Sequence, residues 1–543
     1  MSGNGHGLMR STRIGVVLVC LVLTPGAWSY QSHSWIAGSG WWDEAFNWDT
    51  GLVPADEDDA HLTQSDGGNR TVQYRNVLDP SLSLGCLEID ATGSGTMTFL
   101  QQGTESLTAD AEYVATSGTG THSQTGGANF INDWSGGLFV GYNAGSNGTY
   151  SLGGAASLFV VHETIGDSGT GFFNQSGGTH TTGTLTVGDH SGGVGTYTQT
   201  GGTNEPGELV LGQEGGSTGT YNLDDGMLSA TFMEMIGRDG TGTFTQVGGT
   251  NTTDWFGVGV ESGAGTYNLS GAGVLSTQEE VIGGFGSGTF NQSGGTNTAT
   301  FALSVGSGSG GASVYHLSDG TLQVLSADSA QGREEIGDHG TGTFTQDGGT
   351  HTAKWLTLGV GSGGVGSYHL NGGDLHVLTA EYVGYAGTGI FNQTGGTNVL
   401  DAGLGVASQA GSTGQYNLGG TGVLQVGGSE GIGTGGMGIF TQTDGTTHSV
   451  RDQLHVGGNA GSTGIYTQNG GTTTVKNQFR LANNPGSTGR YELNGGSLLV
   501  GGGSGREAIG VSGVGTFIQT DGTHTVTNEL MVGGVRTEQA SMS

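Results

Sequence analysis

Between Thr243 and Gly259 apolar and polar positions alternate in three short runs. Thr243-Phe244-Thr245-Gln246 ends at Gly248-Gly249, Thr250-Asn251-Thr252 follows, and Phe256-Gly257-Val258 closes at Gly259. Alternation of period two predicts three strands, with Phe244 and Gln246 on one face and Phe256 and Val258 on another. The glycines supply positive φ at the corners, where a side chain would obstruct the turn.

The run is one copy of many. TFTQVGGTNT at Thr243 returns as TFNQSGGTNT at Thr289 and TFTQDGGTHT at Thr343. Alignment on the ring that follows Gly-Thr gives a series from Phe99 and His122 to Tyr491 and Phe517, spaced roughly 24 residues apart, a period shared by solenoids. Helical repeats are excluded by the glycine density and by β-branched residues in short runs. The expected fold is all-β: a single-stranded, right-handed parallel β-helix (β-solenoid) of about 18 turns, roughly 80 to 90 Å long at ~4.8 Å per turn. One turn cannot bury its apolar face alone, which is why the unit is repeated.

Two kinds of turn tend to alternate. Phe turns read F-x-Q-x-GG-T-[NH]-T and then L-x-V-G, as at Leu185–Gly188 and Leu356–Gly359. Tyr turns read Y-x-L-x-G and then E-x-[IV]-G, as at Glu163–Gly166, Glu280–Gly283 and Glu381–Gly384. Tyr197, Tyr466 and Tyr491 sit in turns that break the alternation. Equivalent positions stack as ladders, so Gln175, Gln246, Gln292, Gln346 and Gln393 are expected to hydrogen-bond amide to amide along the axis. Asn251, Asn297 and Asn398, with His351, His448 and His524, form a second structural ladder. Two histidines in alternate turns would lie about 10 Å apart, too far to share an ion, so no metal site is expected there. Glu163, Glu234, Glu280, Glu335, Glu381 and Glu507 form a sparse acidic column, read as a solvated corner; Ca2+ bridging by it and nearby Asp is a weak alternative, because hard oxygen ligands suit that ion. No other cofactor is indicated. Thr179/Thr181, Thr296/Thr298 and Thr350/Thr352 have the form of an ice-binding row, but the Tyr turns interrupt it.

Composition narrows the function. The chain of 543 residues holds 118 Gly and 5 Pro, and 46 Asp and Glu against 13 Lys and Arg give a net charge of −33. That field disfavours nucleic acid and anionic lipid. Arg10 and Arg13 precede an apolar run from Ile14 to Leu23, broken by Pro25-Gly26 and followed by Ala27-Trp28-Ser29. This is the pattern of a signal peptide cleaved before Tyr30, and the run is shorter than the roughly 20 residues of a membrane span. Cys86 then stands alone and is expected to be a small buried apolar residue. The expected organisation is a signal peptide at 1–29, an N-terminal cap and first strands at 30–95, β-helix repeats at 96–534 and a short tail at 535–543.

The regular chain offers few catalytic candidates. A polysaccharide-active enzyme would interrupt the repeat with acids and bases on one face. The best irregular segment, Ser326–His339, holds Asp328, Arg333, Glu334, Glu335, Asp338 and His339; its plain reading is a lengthened corner loop. With so few Lys and Arg, a cationic site for acidic sugars looks poorly supplied. A non-enzymatic rod is the expected function, with a β-helical lyase or hydrolase, or a carbohydrate-binding surface protein, as the alternatives.

The entry segment is more distinctive. Trp35, Trp41, Trp42, Phe46 and Trp48, with Gly51-Leu52-Val53-Pro54 and Asp58-Asp59-Ala60, can cover the open end of the core; exposed, the same Trp residues would stack on carbohydrate. The W…G-x-W…NW…G-x-xP…D-x-A order resembles the opening of bacterial autotransporter-associated β-strand-repeat and adhesin-like proteins. That resemblance implies an exported rod at the cell surface, with host or matrix glycans or proteins as partners and self-association through an open C-terminal end. The residues after Gly534, VRTEQASMS, are not expected to form a translocating barrel.

Overall fold

A computed structural model describes residues 30–76, 82–133, 135–328, 331–533 and 540–542; the predicted signal peptide lies outside these residues. The strands expected from Thr243 to Gly259 are present as Thr241–Gln246 and Thr250–Val258, the second a bent strand that joins the second and third runs. Further along, the bend opens into two separate strands, such as Thr397–Leu400 and Gly403–Val406.

Each strand pairs in parallel with its equivalent in the next turn, in register: Phe244 with Tyr267, Gln246 with Leu269, Asn251 with Leu275 and Phe256 with Glu280. The described residues form a parallel β-solenoid of about 21 turns. The three turns beyond the expected 18 are those through Gly40–Trp41, Arg70–Tyr74 and Ala540–Met542. Gly40 and Val72 stand where later turns place a ring, since Gly40 pairs Val72 and Val72 pairs Phe99, so alignment on aromatics passes over them. Stacked coils therefore begin inside the expected cap region, and within the expected tail Ala540–Met542 pairs with Val514–Gln519. Twenty spacings of ~4.8 Å give a rod about 95 Å long.

Inside, the rings form an unbroken stack from Tyr150 to Phe517. Successive centroids lie 4.6 Å apart for Phe173 and Tyr197, 4.8 Å for Tyr221 and Phe244, and 4.7 Å for Phe244 and Tyr267. The corners are close enough to require glycine. A Cβ on Gly265, two residues before Tyr267, would sit 2.1 Å from the Ile236 carbonyl oxygen and 2.5 Å from the Gly259 nitrogen, and Gly259 itself has φ +66°. Cys86 is buried, as expected.

Three tryptophans close the N-terminal end. Trp48 packs edge-on against Trp35 at 5.3 Å and Trp42 at 4.8 Å, and Trp42 meets Phe99 at 5.7 Å. Trp48 Nε1 donates to the Trp42 carbonyl at 2.9 Å, and Trp35 Nε1 to the Gly38 carbonyl at 2.8 Å, so these two rings are held by their polar edges as well as their faces, while Trp42 is held by ring contacts. Phe46 stands outside this cluster, exposed.

Candidate functional site

The interior carries a repeated polar group assembled from three successive turns. Around Asn251, Nδ2 donates to Glu234 Oε2 of the preceding turn at 3.0 Å and to the Tyr267 hydroxyl of the following turn at 3.4 Å. The Tyr267 hydroxyl donates to Gln246 Oε1 at 2.5 Å, and Gln246 Nε2 donates to the Val274 carbonyl at 3.0 Å. All four side chains are fully buried. The same group recurs as Glu280, Asn297, Tyr315 and Gln292, and as Glu381, Asn398, Tyr416 and Gln393.

The alternation of turns follows from this group. A Phe turn supplies Gln and Asn or His; the Tyr turns on either side supply the hydroxyl and the carboxyl, with Leu where the Phe turn has its polar residues. Leu223, Leu228, Leu269 and Leu275 are those counterparts. Polar side chains thus meet across turns, and each is backed by an apolar neighbour in its own column.

Two expectations are corrected. Gln175, Gln246, Gln292, Gln346 and Gln393 do not bond amide to amide: each amide nitrogen reaches a carbonyl of the next turn, and each amide oxygen accepts from a tyrosine. Between Gln246, Gln292, Gln346 and Gln393 the intervening turn carries Leu at that position, so these amides are two turns apart; Gln175 has Gln199 in the next turn, and both amides still reach a main-chain carbonyl and a tyrosine. The acidic column is not a solvated corner. Glu163, Glu234, Glu280, Glu381 and Glu507 point inward and are buried, and the member from the irregular segment is Glu334, not Glu335, because Glu334 pairs in register with Leu303 and Leu356. Enclosed in this way, these carboxylates present no oxygen to a Ca2+ ion in solvent.

Asn and His substitute for one another in the group, with different electrostatics. His180 Nε2 lies 2.7 Å from Glu163, His351 Nε2 2.8 Å from Glu334, and His448 Nε2 2.7 Å from Glu430. Each of these rings also uses Nδ1 toward a tyrosine hydroxyl, at 3.1, 2.9 and 2.9 Å. Where the partner is Asn, burial pushes the carboxyl up, to about 8 for Glu234, about 7 for Glu280 and about 8 for Glu381, opposed by the hydrogen bond from Asn. Glu234 Oε1 and Asn251 Oδ1 are enclosed acceptors without a donor among the described residues; a proton on the carboxyl supplies one.

The described charges of the irregular segment take three different places in the turn. Ser326–Asp328 lies at the bend between second and third strands, where Lys354 Nζ donates to the Ser326 carbonyl at 3.0 Å and to the Asp328 carbonyl. Arg333 begins the next strand, Glu334 is internal, and Asp338 and His339 pair at 2.8 Å at the following corner. Of the tryptophans considered for carbohydrate, Trp35, Trp42 and Trp48 are enclosed and offer no face to a sugar. Trp41 is exposed, with the Arg75 guanidinium 4.4 Å from its ring centre. Asp167, Asp189 and His190 form the one described cluster with metal-ligating spacing; His190 Nδ1 lies 3.3 Å from Asp167 and 3.5 Å from Asp189.

Outside, the bend between second and third strands leaves a groove parallel to the axis. One stretch of about 390 Å³ runs past Ser229, Thr252 and Ser276. A second, of about 600 Å³, runs past Gln425, Ser449 and Thr474 on one wall and Asp401, Arg451 and Lys476 on the other. Ser326–Asp328, from the segment that the sequence marks as irregular, lie at the same bend, in a turn between the two stretches. The chain matches no protein-family model, no curated protein and no solved structure.

Proposed function

We propose that this chain is an exported, non-catalytic β-helical rod that acts as a structural or adhesive element at the cell surface, in the manner of the autotransporter-associated and adhesin-like proteins its opening resembles. The observation that carries this reading is the internal polar group. Nearly every turn spends its buried chemistry on cohesion with its neighbours, and side chains of the kind a catalyst needs are consumed in turn-to-turn contacts. The leader-like residues before Tyr30 and the net charge of −33 support a life outside the cell.

The test is to express the chain with residues 1–29 in place, collect the exported product and measure its attachment to immobilised glycans and matrix proteins. A parallel assay follows release of reducing or unsaturated sugar ends from a polysaccharide panel. Attachment without release is the expected result; release with turnover overturns the reading in favour of a lyase or hydrolase.

A further inference from the structure

Resting on that reading, we propose that the C-terminal stretch of the groove binds an acidic polysaccharide strand lying along the rod axis, with its carboxylate or sulfate groups held by Arg451 and Lys476. Val450 pairs in register with Val475, so the residues that follow, Arg451 and Lys476, project from consecutive turns into the same groove. Their backbones are about 4.8 Å apart. Both side chains are exposed, and neither has a carboxylate within ion-pair distance among the described residues.

The neighbouring acids are committed elsewhere. Asp452, next to Arg451, accepts from Ser429 at 2.9 Å and Asn477 at 3.2 Å, and Asp401 holds His376 at 3.0 Å. In a chain with 46 acidic residues and 13 Lys and Arg, two adjacent unpaired cations stand out. They repel each other, and an anion bridging them removes the repulsion and gains charge-assisted hydrogen bonds. The chain has only two lysines, Lys354 and Lys476; both lie on this bend, and the amine of Lys354 is already engaged. The scarcity of cations that argued against an acidic-sugar site is therefore offset by where these stand.

The shape of the groove selects the occupant. It follows the axis over five turns, from Asp401 to Gly501, about 19 Å at ~4.8 Å per step, longer than a single small anion. Gln425, Ser449 and Thr474 succeed one another in register along one wall, offering an amide or a hydroxyl at each turn to sugar hydroxyls. Gly427, Gly501 and Gly502 leave room on the other. An acidic peptide is disfavoured because the strands here are hydrogen-bonded to the turns above and below, which leaves no main-chain edge to extend. Nucleic acid is disfavoured by the field of the whole chain. At about 0.15 M salt the Debye length is ~8 Å, so distant carboxylates are screened while contacts inside the groove persist.

The test uses the full exported chain and three labelled probes at that ionic strength: an oligogalacturonate, a sulfated dextran oligomer and a neutral cello-oligomer, followed by fluorescence anisotropy. Binding of either acidic probe and not of the neutral one is expected, and the carboxylate and sulfate arms identify which group the pair prefers. R451A/K476A should weaken acidic-probe binding at least about tenfold, while R238A, at a distant cation, should not. Both groove residues are exposed, so an unchanged melting curve shows that the variant is folded. Equal binding of neutral and acidic probes, retention of binding in R451A/K476A, or no binding of either acidic probe each overturns the proposal. Those results leave the rod reading standing, which fails only on catalytic turnover.

Discussion

The hydroxyl of Tyr267 donates to the amide oxygen of Gln246, one turn earlier, at 2.5 Å, and through this bond two turns of different composition become halves of one unit. The tyrosine spends its proton on this bond, and the glutamine fixes its own orientation by donating to the Val274 carbonyl. Removing either residue leaves the other with a buried hydroxyl proton or amide oxygen unmatched, which costs about 1–3 kcal/mol.

Q246L tests that dependence. Leu occupies the equivalent place in the turns before and after, at Leu223 and Leu269, so the replacement fits sterically. The cost comes from the hydroxyl and carbonyl left without partners. A loss of about 2–3 kcal/mol is expected, and adding Y267F to Q246L should recover part of it. Amide hydrogen exchange across Thr241–Ile282 reads the local stability; additive losses in the double variant would show that the two side chains act separately.

G265A probes the corner. A methyl group there meets the Ile236 carbonyl oxygen at 2.1 Å, and the obstruction is backbone, so the turn must move. The expected loss is about 3 kcal/mol or more, in the range of severe single substitutions, with exchange quickening around Ile236 and Gly259. An alanine variant that melts with the wild type would remove close packing as the reason for the Gly-x-aromatic phrase.

Much of this was legible in the sequence, and what was missed has a physical cause. Phe244, Gly259 and Val258 declare the strand, corner and core within one turn, because alternation and positive φ are local properties. The polar group is not local. Glu234 meets Asn251 at a separation of 17 residues, and Glu280 meets Asn297 at the same separation; within its own turn each Glu looks solitary and therefore solvated. The spacing E-x16-[NH] would have exposed the pairing, and the E-x-[IV]-G phrase itself selects Glu334 over Glu335. The groove is hidden for the same reason: Arg451 and Lys476 become neighbours only when the turns stack. Of the entry rings expected to cover the core, Trp35, Trp42 and Trp48 are buried while Trp41 and Phe46 are exposed, a division that residue type alone does not reveal.

The cap makes its own prediction. Trp42 is fully buried and touches Trp48, Tyr74 and Phe99, so W42A opens a cavity at the end of the core. A loss of about 3–5 kcal/mol is expected, concentrated in the first turns because each turn contacts only its neighbours. Exchange should rise over residues 30–76 and fade before Tyr150. Uniform loss along the whole rod would show that the turns unfold as one block and that the cap controls all of them.

The carboxyls paired with asparagine set the pH dependence of the rod. Glu234 and Glu381 stand at about 8 and Glu280 at about 7 in the folded chain, against roughly 4.3 for a free Glu. A folded value above the unfolded one means the folded state holds the proton more tightly. Its contribution is complete below about pH 4.3, declines as pH rises, and is gone once pH has passed through 7 to 8. Each group then costs at most about 1.4 kcal/mol per pH unit in that window. Melting temperature should fall from pH 5.5 to pH 8.5. Surface repulsion in so acidic a chain pushes the same way, so the deciding measurement is E234Q/E280Q/E381Q. A glutamine keeps an acceptor for the asparagine, adds a donor in place of the acid proton, and does not titrate. The triple variant should flatten the decline between pH 5.5 and 8.5 while its surface charge is unchanged. A slope equal to that of the wild type would assign the pH dependence to the surface instead, and would mean that these three carboxyls do not carry their protons in the folded rod.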